Sequence, residues 1–232
     1  DDKSVALVFN GEVYNYLELM DELRGHGYVF RTKSDSEDIV RAWEHWGEDC
    51  VHHLRGMFAF MVHDRRRDCL FMARDRTGVK PLHYAVTDDG WLLFGSELKS
   101  IVAHGGLRQE IDPRAIEAYF ALGYVPDPWT IYKHAKKLAP GHRLLVKRGQ
   151  PVGEPQRYWD VKFTLDAKIS EAEAAEEMRR RLSESVKLRL KAEVPLGAFL
   201  SGGVDSSAVV AAMAQLDSQP VNTCSIGFDD PK

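Results

Sequence analysis

Val5-Ala6-Leu7-Val8-Phe9 is an unbroken apolar run of strand length, and Asn10-Gly11 reads as the turn that closes it. A helix is predicted next, with Leu17, Leu19, Met20 and Leu23 at helical spacing and Gly25 and Gly27 after it. Ser34-Asp35-Ser36-Glu37 has capping-box spacing and opens a second helix through Ile39, Val40, Trp43 and Trp46 to Gly47. From residue 56 to 94 the pattern becomes that of strands. Residues 58–62 and 70–73 bracket a polar turn, and 81–86 and 91–95 form a hairpin across Asp88-Asp89-Gly90. Asp112-Pro113 reads as an N-cap with proline at the first helical position, starting a helix to Leu122.

Residues 123–165 are rich in proline and glycine and read as loops and short strands. Ser170-Glu171-Ala172-Glu173 repeats the capping-box spacing and opens a helix to Arg189. A strand (194–200), a glycine turn, a helix (206–216) and a strand (221–228) then make a βαβ unit. The chain is expected to be mixed α/β. A β-rich domain with flanking helices would occupy 1–155, a linker 156–168, and an α/β segment 169–232.

Composition narrows the partners. Hydrophobic residues make up 44% of the 232, enough for a packed core. A net charge of −4, with no basic block interleaved with aromatics, argues against nucleic acid. Arg65-Arg66-Arg67 lies between Asp64 and Asp68 and reads as a solvated turn. No apolar run reaches the ~20 residues of a membrane span. Cys50, Cys69 and Cys224 lack metal-ligand spacing and suit a reducing, cytoplasmic setting. Cys50 and Cys69 are expected as core thiols, as are Trp43, Trp46 and the 57–60 stripe as core side chains. His26, His52 and His53 are expected at the surface, and Arg74, Asp75 and Arg76 in a buried ion-pair turn. The chain opens on Asp1-Asp2-Lys3, without a methionine, and reads as part of something longer.

The most chemical stretch is Ser201-Gly202-Gly203-Val204-Asp205-Ser206-Ser207, at a strand-to-helix junction. Gly202 and Gly203 let the backbone bring its N–H groups against a phosphate, and the helix dipole favours an anion there. Ser201, Ser206 and Ser207 add hydroxyls, and Asp205 can hold Mg²⁺ on phosphate oxygens. The loop has no Walker-A lysine, so it suits release of pyrophosphate better than transfer of the γ-phosphoryl group.

This run resembles the PP-loop of the ATP pyrophosphatase superfamily. Phe9-Asn10-Gly11-Glu12-Val13-Tyr14-Asn15 and Ser34-Asp35-Ser36-Glu37 resemble the glutaminase domain of the asparagine synthetase B family. So do Leu54-Arg55-Gly56-Met57-Phe58-Ala59-Phe60, the run from Ala73 to Leu82, and Gly95-Ser96-Glu97-Leu98-Lys99. Tyr124-Val125-Pro126 and the run from Lys137 to His142 extend the likeness, which covers essentially the whole chain. It looks closest to a bacterial branch that includes amidotransferases of exosortase and exopolysaccharide clusters.

The resemblance implies an N-terminal-nucleophile αββα glutaminase domain, incomplete at its N-terminus, followed by the start of a Rossmann-like PP-loop domain. It implies glutamine, ATP with Mg²⁺, and aspartate as substrates, and it leaves room for a homodimer. Asn10 and Gly11 would hold the oxyanion, and Glu12 and Asp35 would accept from glutamine's amide and α-amino ends. Spacing alone leaves Asn10-Gly11 open between this role and a plain turn, and Asp35 between it and part of a helix cap. Leu200 and Ile226 match positions that pack on the adenine. The family's nucleophilic Cys would lie upstream of Asn10, and the 232-residue piece is expected to be inactive alone. Two alternatives remain open: another carboxylate acceptor, as on a polysaccharide, or a ligase like β-lactam synthetase.

Overall fold

The structure, a computed structural model, describes residues 4–165, 168–190, 195–217 and 219–227. The chain divides into two compact units between Val161 and Lys162. The first begins with β1 (Val5–Val13), α1 (Tyr16–Gly25), α2 (Asp35–Trp46), the single turn α3 (Cys50–His53), β2 (Gly56–Asp64) and β3 (Cys69–Arg74). It continues with β4 (His83–Val86), β5 (Leu92–Gly95), α4 (Leu98–Ala103), α5 (Pro113–Leu122), β6 (Ala135–Lys137), β7 (His142–Lys147) and β8 (Gln156–Arg157). Two antiparallel sheets result, ordered β1-β2-β3-β7-β8 and β5-β4-β6.

The layer order follows from side chains alternating across β2 and β3. Phe58, Phe60, Val62, Phe71 and Ala73 pack with Leu19, Leu23, Ile39, Ala42 and Trp43 of α1 and α2. Ala59, Met61 and Met72 point the other way, onto Leu82, Tyr84 and Leu138 around the second sheet. The far face of that sheet sets Ala85 and Ala135 against Ile101 of α4 and Leu107. Helices, sheet, sheet and helix thus form an αββα sandwich.

Local expectations fare unevenly. Asp112 accepts from Arg114 N, with Pro113 opening α5 and Gly123 at φ +79 ending it. The hairpin across Asp88-Asp89-Gly90 forms, with Val86 opposite Leu92. The turn expected at Asn10-Gly11 does not form, because β1 pairs with β2 through both residues to Val13. At Ser34 the helix is capped, but the capping box does not form, since Ser34 N donates to Thr32 Oγ1. Ser34 Oγ accepts from Ser36 N, while Glu37 accepts from Arg31 N, Thr32 N and Thr32 Oγ1 in the preceding loop. The box at Ser170 and Glu173 closes in both directions.

The Arg65-Arg66-Arg67 turn is exposed, as expected, while Asp64 before it is buried, accepting from Trp43 Nε1 at 2.9 Å and from the amides of Arg66 and Arg67. Arg74-Asp75-Arg76 serves backbone groups instead of pairing internally. Asp75 accepts the amides of Phe58, Thr77, Val79 and Lys80. Arg74 donates to the carbonyls of Lys80, Gly78 and Leu138 and to Asp127 Oδ2. Trp46 is half-buried and stacks on His53, with ring centroids 3.7 Å apart.

The second unit contains α6 (Glu171–Arg189), β9 (Gly197–Phe199), α7 (Val204–Leu216) and β10 (Asn222–Cys224), with β9 and β10 parallel. Both strands are shorter than expected, and their outer ends, Val194 and Phe228, lie outside the described residues. α7 starts before Ser206 because Gly203 takes the N-cap position. Among the described residues no helix is long and apolar enough to cross a membrane.

Candidate functional site

The geometry around Gly11 follows from Phe58. Both backbone groups of Phe58 point away from β1: its N–H donates to Asp75 Oδ2 at 3.1 Å and its C=O accepts from Asp75 N at 2.7 Å. In an antiparallel pair a residue's N–H and C=O share one side, so Phe58 and its partner Gly11 form a non-hydrogen-bonded pair. Gly11 therefore turns its N–H toward the outer edge of β1, the outermost strand of its sheet. Val13, two residues on, does the same, and its N–H is taken by Asp35 Oδ2 at 3.0 Å. The close pairing also explains the glycine. A Cβ on Gly11 would lie 2.1 Å from Met57 O and 2.7 Å from Phe58 Cα.

Asn10 and Glu12 project from the face of β1 opposite Val13, toward the second sheet. Asn10 Nδ2 donates to Ser96 Oγ at 3.1 Å, from β1 to the bend between β5 and α4. Burial and then the Asp35 charge raise the Glu12 carboxyl above its usual value, with the Lys80 ammonium opposing them. Asp35 opens α2, whose first turn also carries Glu37 and Asp38. The structure thus gathers Asn10, Gly11, Glu12 and Asp35 at the C-terminal part of β1. A groove along the open edge, lined by Leu7, Phe9, Ser34, Ser36, Glu37 and Val40, adjoins them.

Ser96, bonded to Asn10, and Lys80, whose charge acts on Glu12, join this group. Both lie in the sequence runs that carried the resemblance, but nothing in linear order pairs either with β1. The cysteines stand apart. Cys50 is fully buried, and burial pushes its thiol up to about 12, while burial also raises Cys69. Neither presents a thiolate.

In the second unit the glycine turn joins β9 to α7. Gly202 adopts φ +81, which a side chain would strain, and no atom lies within 4 Å of where its Cβ would be. Ser201 Oγ and Ser206 Oγ are 3.1 Å apart, and Ser206 Oγ donates to Gly203 O. Asp205 stands in the first turn of α7, followed by Ser206 and Ser207. Leu200 N donates to Cys224 O at 2.9 Å, and Ser225 Oγ donates to Leu200 O at 2.6 Å. Leu200 and Ile226 thereby sit just past the C-terminal ends of two adjacent parallel strands, Leu200 half-buried and Ile226 exposed. In α/β sheets that is where ligands bind. The open first-turn amides, the hydroxyls and the acid make a donor set that fits a nucleotide's phosphates with a divalent cation.

The αββα sandwich carries an outward backbone amide at Gly11, the Asn10 carboxamide and the Glu12 carboxylate on its edge strand, with the Asp35 carboxylate at the start of α2 beside them. The family model described as a glutamine amidotransferase domain matches residues 1–159, and the asparagine synthase model matches 177–232. The chain belongs to the glutamine amidotransferase family.

Among its relatives are two glutamine-hydrolysing asparagine synthetases of Bacillus subtilis. Asparagine synthetase 1 is 36% identical over 99% of this chain, and asparagine synthetase 3 is 38% identical over 97%. The chain spans 35% and 37% of their respective lengths. A solved structure, the glutamine phosphoribosylpyrophosphate amidotransferase of B. subtilis, resembles it with a TM-score of 0.45 and 16% identity. That likeness covers 96% of this chain and 46% of the other.

Proposed function

We propose that the protein carrying this chain is a glutamine-dependent asparagine synthetase. One observation carries the first half: Gly11 N–H and Asp35 share the open edge of β1, while Asn10 and Glu12 stand beside them. Asn10 Nδ2 and Gly11 N–H are donors for the oxyanion that forms when glutamine's amide is attacked, and each such donor contributes about 3–4 kcal/mol. Glu12 accepts from glutamine's carboxamide, and Asp35 accepts from its α-ammonium. The products are glutamate and ammonia.

In the second half, Ser201, Gly202, Gly203, Asp205, Ser206 and Ser207 hold the phosphates of ATP, Asp205 through Mg²⁺, with Leu200 and Ile226 beside the adenine. ATP supplies an AMP group to the aspartate β-carboxylate and releases pyrophosphate. Ammonia displaces AMP and gives asparagine. The relatives' names and the match at 177–232 support aspartate as the acceptor.

The test uses the whole protein with glutamine, aspartate and MgATP, scoring asparagine, AMP, pyrophosphate and glutamate. Asp205→Ala should abolish asparagine formation and leave glutamine hydrolysis in place. Loss of both activities with the fold intact would contradict separate sites.

A further inference from the structure

Ser96 occupies an unusual position for a serine beside a helix start. Glu97 is the N-cap of α4, and no side chain caps that helix, so the Ser96 hydroxyl is not spent on the task serines commonly perform there. Its oxygen instead accepts from Asn10 Nδ2 at 3.1 Å, across 86 residues of sequence. Among the described residues this is the only hydrogen bond that the Asn10 side chain makes.

The bend that carries Ser96 is itself held from two sides. His83 Nδ1 lies 3.0 Å from Ser96 O. A carbonyl can only accept, so the ring nitrogen is the donor. Burial lowers the His83 pKa, so the ring is neutral near pH 7 and its single proton is fixed at Nδ1 by this contact. On the other side Gly95, paired with His83, packs closely: a Cβ there would lie 3.3 Å from Ser100 Cβ. A hydrogen-bonded line therefore runs from His83 through Ser96 to Asn10.

A carboxamide nitrogen carries two N–H groups. The torsion that orients an asparagine amide is broad and roughly two-fold, so an untethered amide samples many planes. We propose that Ser96 is a positioning residue for Asn10, taking one N–H of its carboxamide and thereby fixing the direction of the other for the substrate oxygen. His83 supports it by holding the Ser96 backbone. This inference rests on the glutaminase reading of Asn10.

Two measurements test it. The first is ¹⁵N-edited NMR of the Asn10 side-chain amide in the whole protein. The wild type should show a wide separation of its two proton shifts, with the Ser96-bonded proton slow to exchange with water. Ser96→Ala should narrow the separation toward that of a free carboxamide and speed the exchange. Ser96→Thr, which keeps the hydroxyl, should restore the separation. An Asn10 amide indifferent to both substitutions would overturn the proposal.

The second measurement is glutamine hydrolysis by the whole protein. Ser96→Ala should lower kcat on the order of tenfold, a fraction of the 10²–10³-fold cost of removing an oxyanion donor, with KM little changed. Ser96→Thr should recover most of it. In an Asn10→Ala background, Ser96→Ala should add less than twofold; an equal tenfold loss there would show that Ser96 acts by another route and overturn the proposal. A tethered amide in a protein that does not hydrolyse glutamine would instead overturn the glutaminase reading, and with it the catalytic purpose of the tether.

Discussion

Asp35 and Asp38 lie one helical turn apart on α2, yet Asp35 accepts the Val13 N–H at 3.0 Å while Asp38 is fully buried with neither carboxylate oxygen hydrogen-bonded. Burial, then the charges of Asp35 and Glu37, push the Asp38 carboxyl up to about 7. In an unfolded chain it would ionise near ~3.9. Between those values the folded protein keeps a proton that the unfolded chain releases, so stability falls as pH rises from ~4 toward 7 and levels off above.

Asp38→Asn removes that slope. The variant's gain in thermal midpoint over wild type should be larger at pH 8 than at pH 5. Ionising Asp38 inside the fold costs ~1.4 kcal/mol per pKa unit of its upward shift, a cost that asparagine does not carry, and each kcal/mol moves the midpoint by ~2–4 °C in a chain of this size. A gain of several degrees at pH 8 is therefore expected, read by calorimetry. An equal gain at both pH values would show that ionisation of Asp38 plays no part.

Arg74 should be among the most sensitive positions for stability. It is nearly buried and serves three backbone carbonyls and Asp127 at distances of 2.8–3.0 Å. Arg74→Ala would leave those acceptors unsatisfied in low dielectric, at a cost of ~3–5 kcal/mol. Arg74→Lys should lose most of that as well, because an ammonium cannot reproduce the planar fork. Urea unfolding would measure both. A lysine variant within 1 kcal/mol of wild type, an order-of-magnitude threshold, would show that charge alone suffices.

Why some of this was legible in the sequence and some was not has physical reasons. Ser34, Asp112 and Ser170 announce helix starts because capping is local, decided within a few residues. Asn10-Gly11 misleads because this dipeptide favours turns, while pairing with Ala59 and Phe58 carries the strand through it. β7 was hidden in a proline- and glycine-rich stretch, although Leu144 sits deep in the interior between the sheets. Its place is set by pairing with β3, across a separation that periodicity does not register. Asn10, Gly11, Glu12 and Asp35 lie in local motifs that the linear sequence displays. Ser96 lies in the Gly95–Lys99 run, and only the fold brings it to Asn10.

Thiol chemistry separates the three cysteines. Cys224 is exposed, whereas Cys50 and Cys69 are buried with thiols raised by burial. Because the thiolate is the reactive form, alkylation at pH 8 should label Cys224 within minutes and spare the other two until denaturant is added. Mass spectrometry of the digested protein would read the pattern. Rapid labelling of Cys50 in the native state would mean that the core formed by α1, α2 and the first sheet opens readily.

Glu12 gives the glutamine site a predicted pH dependence. Only an ionised carboxylate accepts at both oxygens from a carboxamide's N–H groups. Burial and the Asp35 charge raise the Glu12 pKa above its usual 4.5, so the protonated, non-accepting form reaches further toward neutral pH than in an ordinary glutamate. In the whole protein, KM for glutamine should therefore climb as pH falls toward and through that raised value, with kcat less affected. Glu12→Gln cannot ionise and loses the charge-assisted hydrogen bond. A bond of that kind contributes ~1.5–3 kcal/mol, so its KM at pH 7.5 should be roughly 10- to 100-fold above wild type. Its KM should also stay flat where the wild-type value climbs. If both proteins show the same climb, another group titrates and Glu12 does not recognise glutamine.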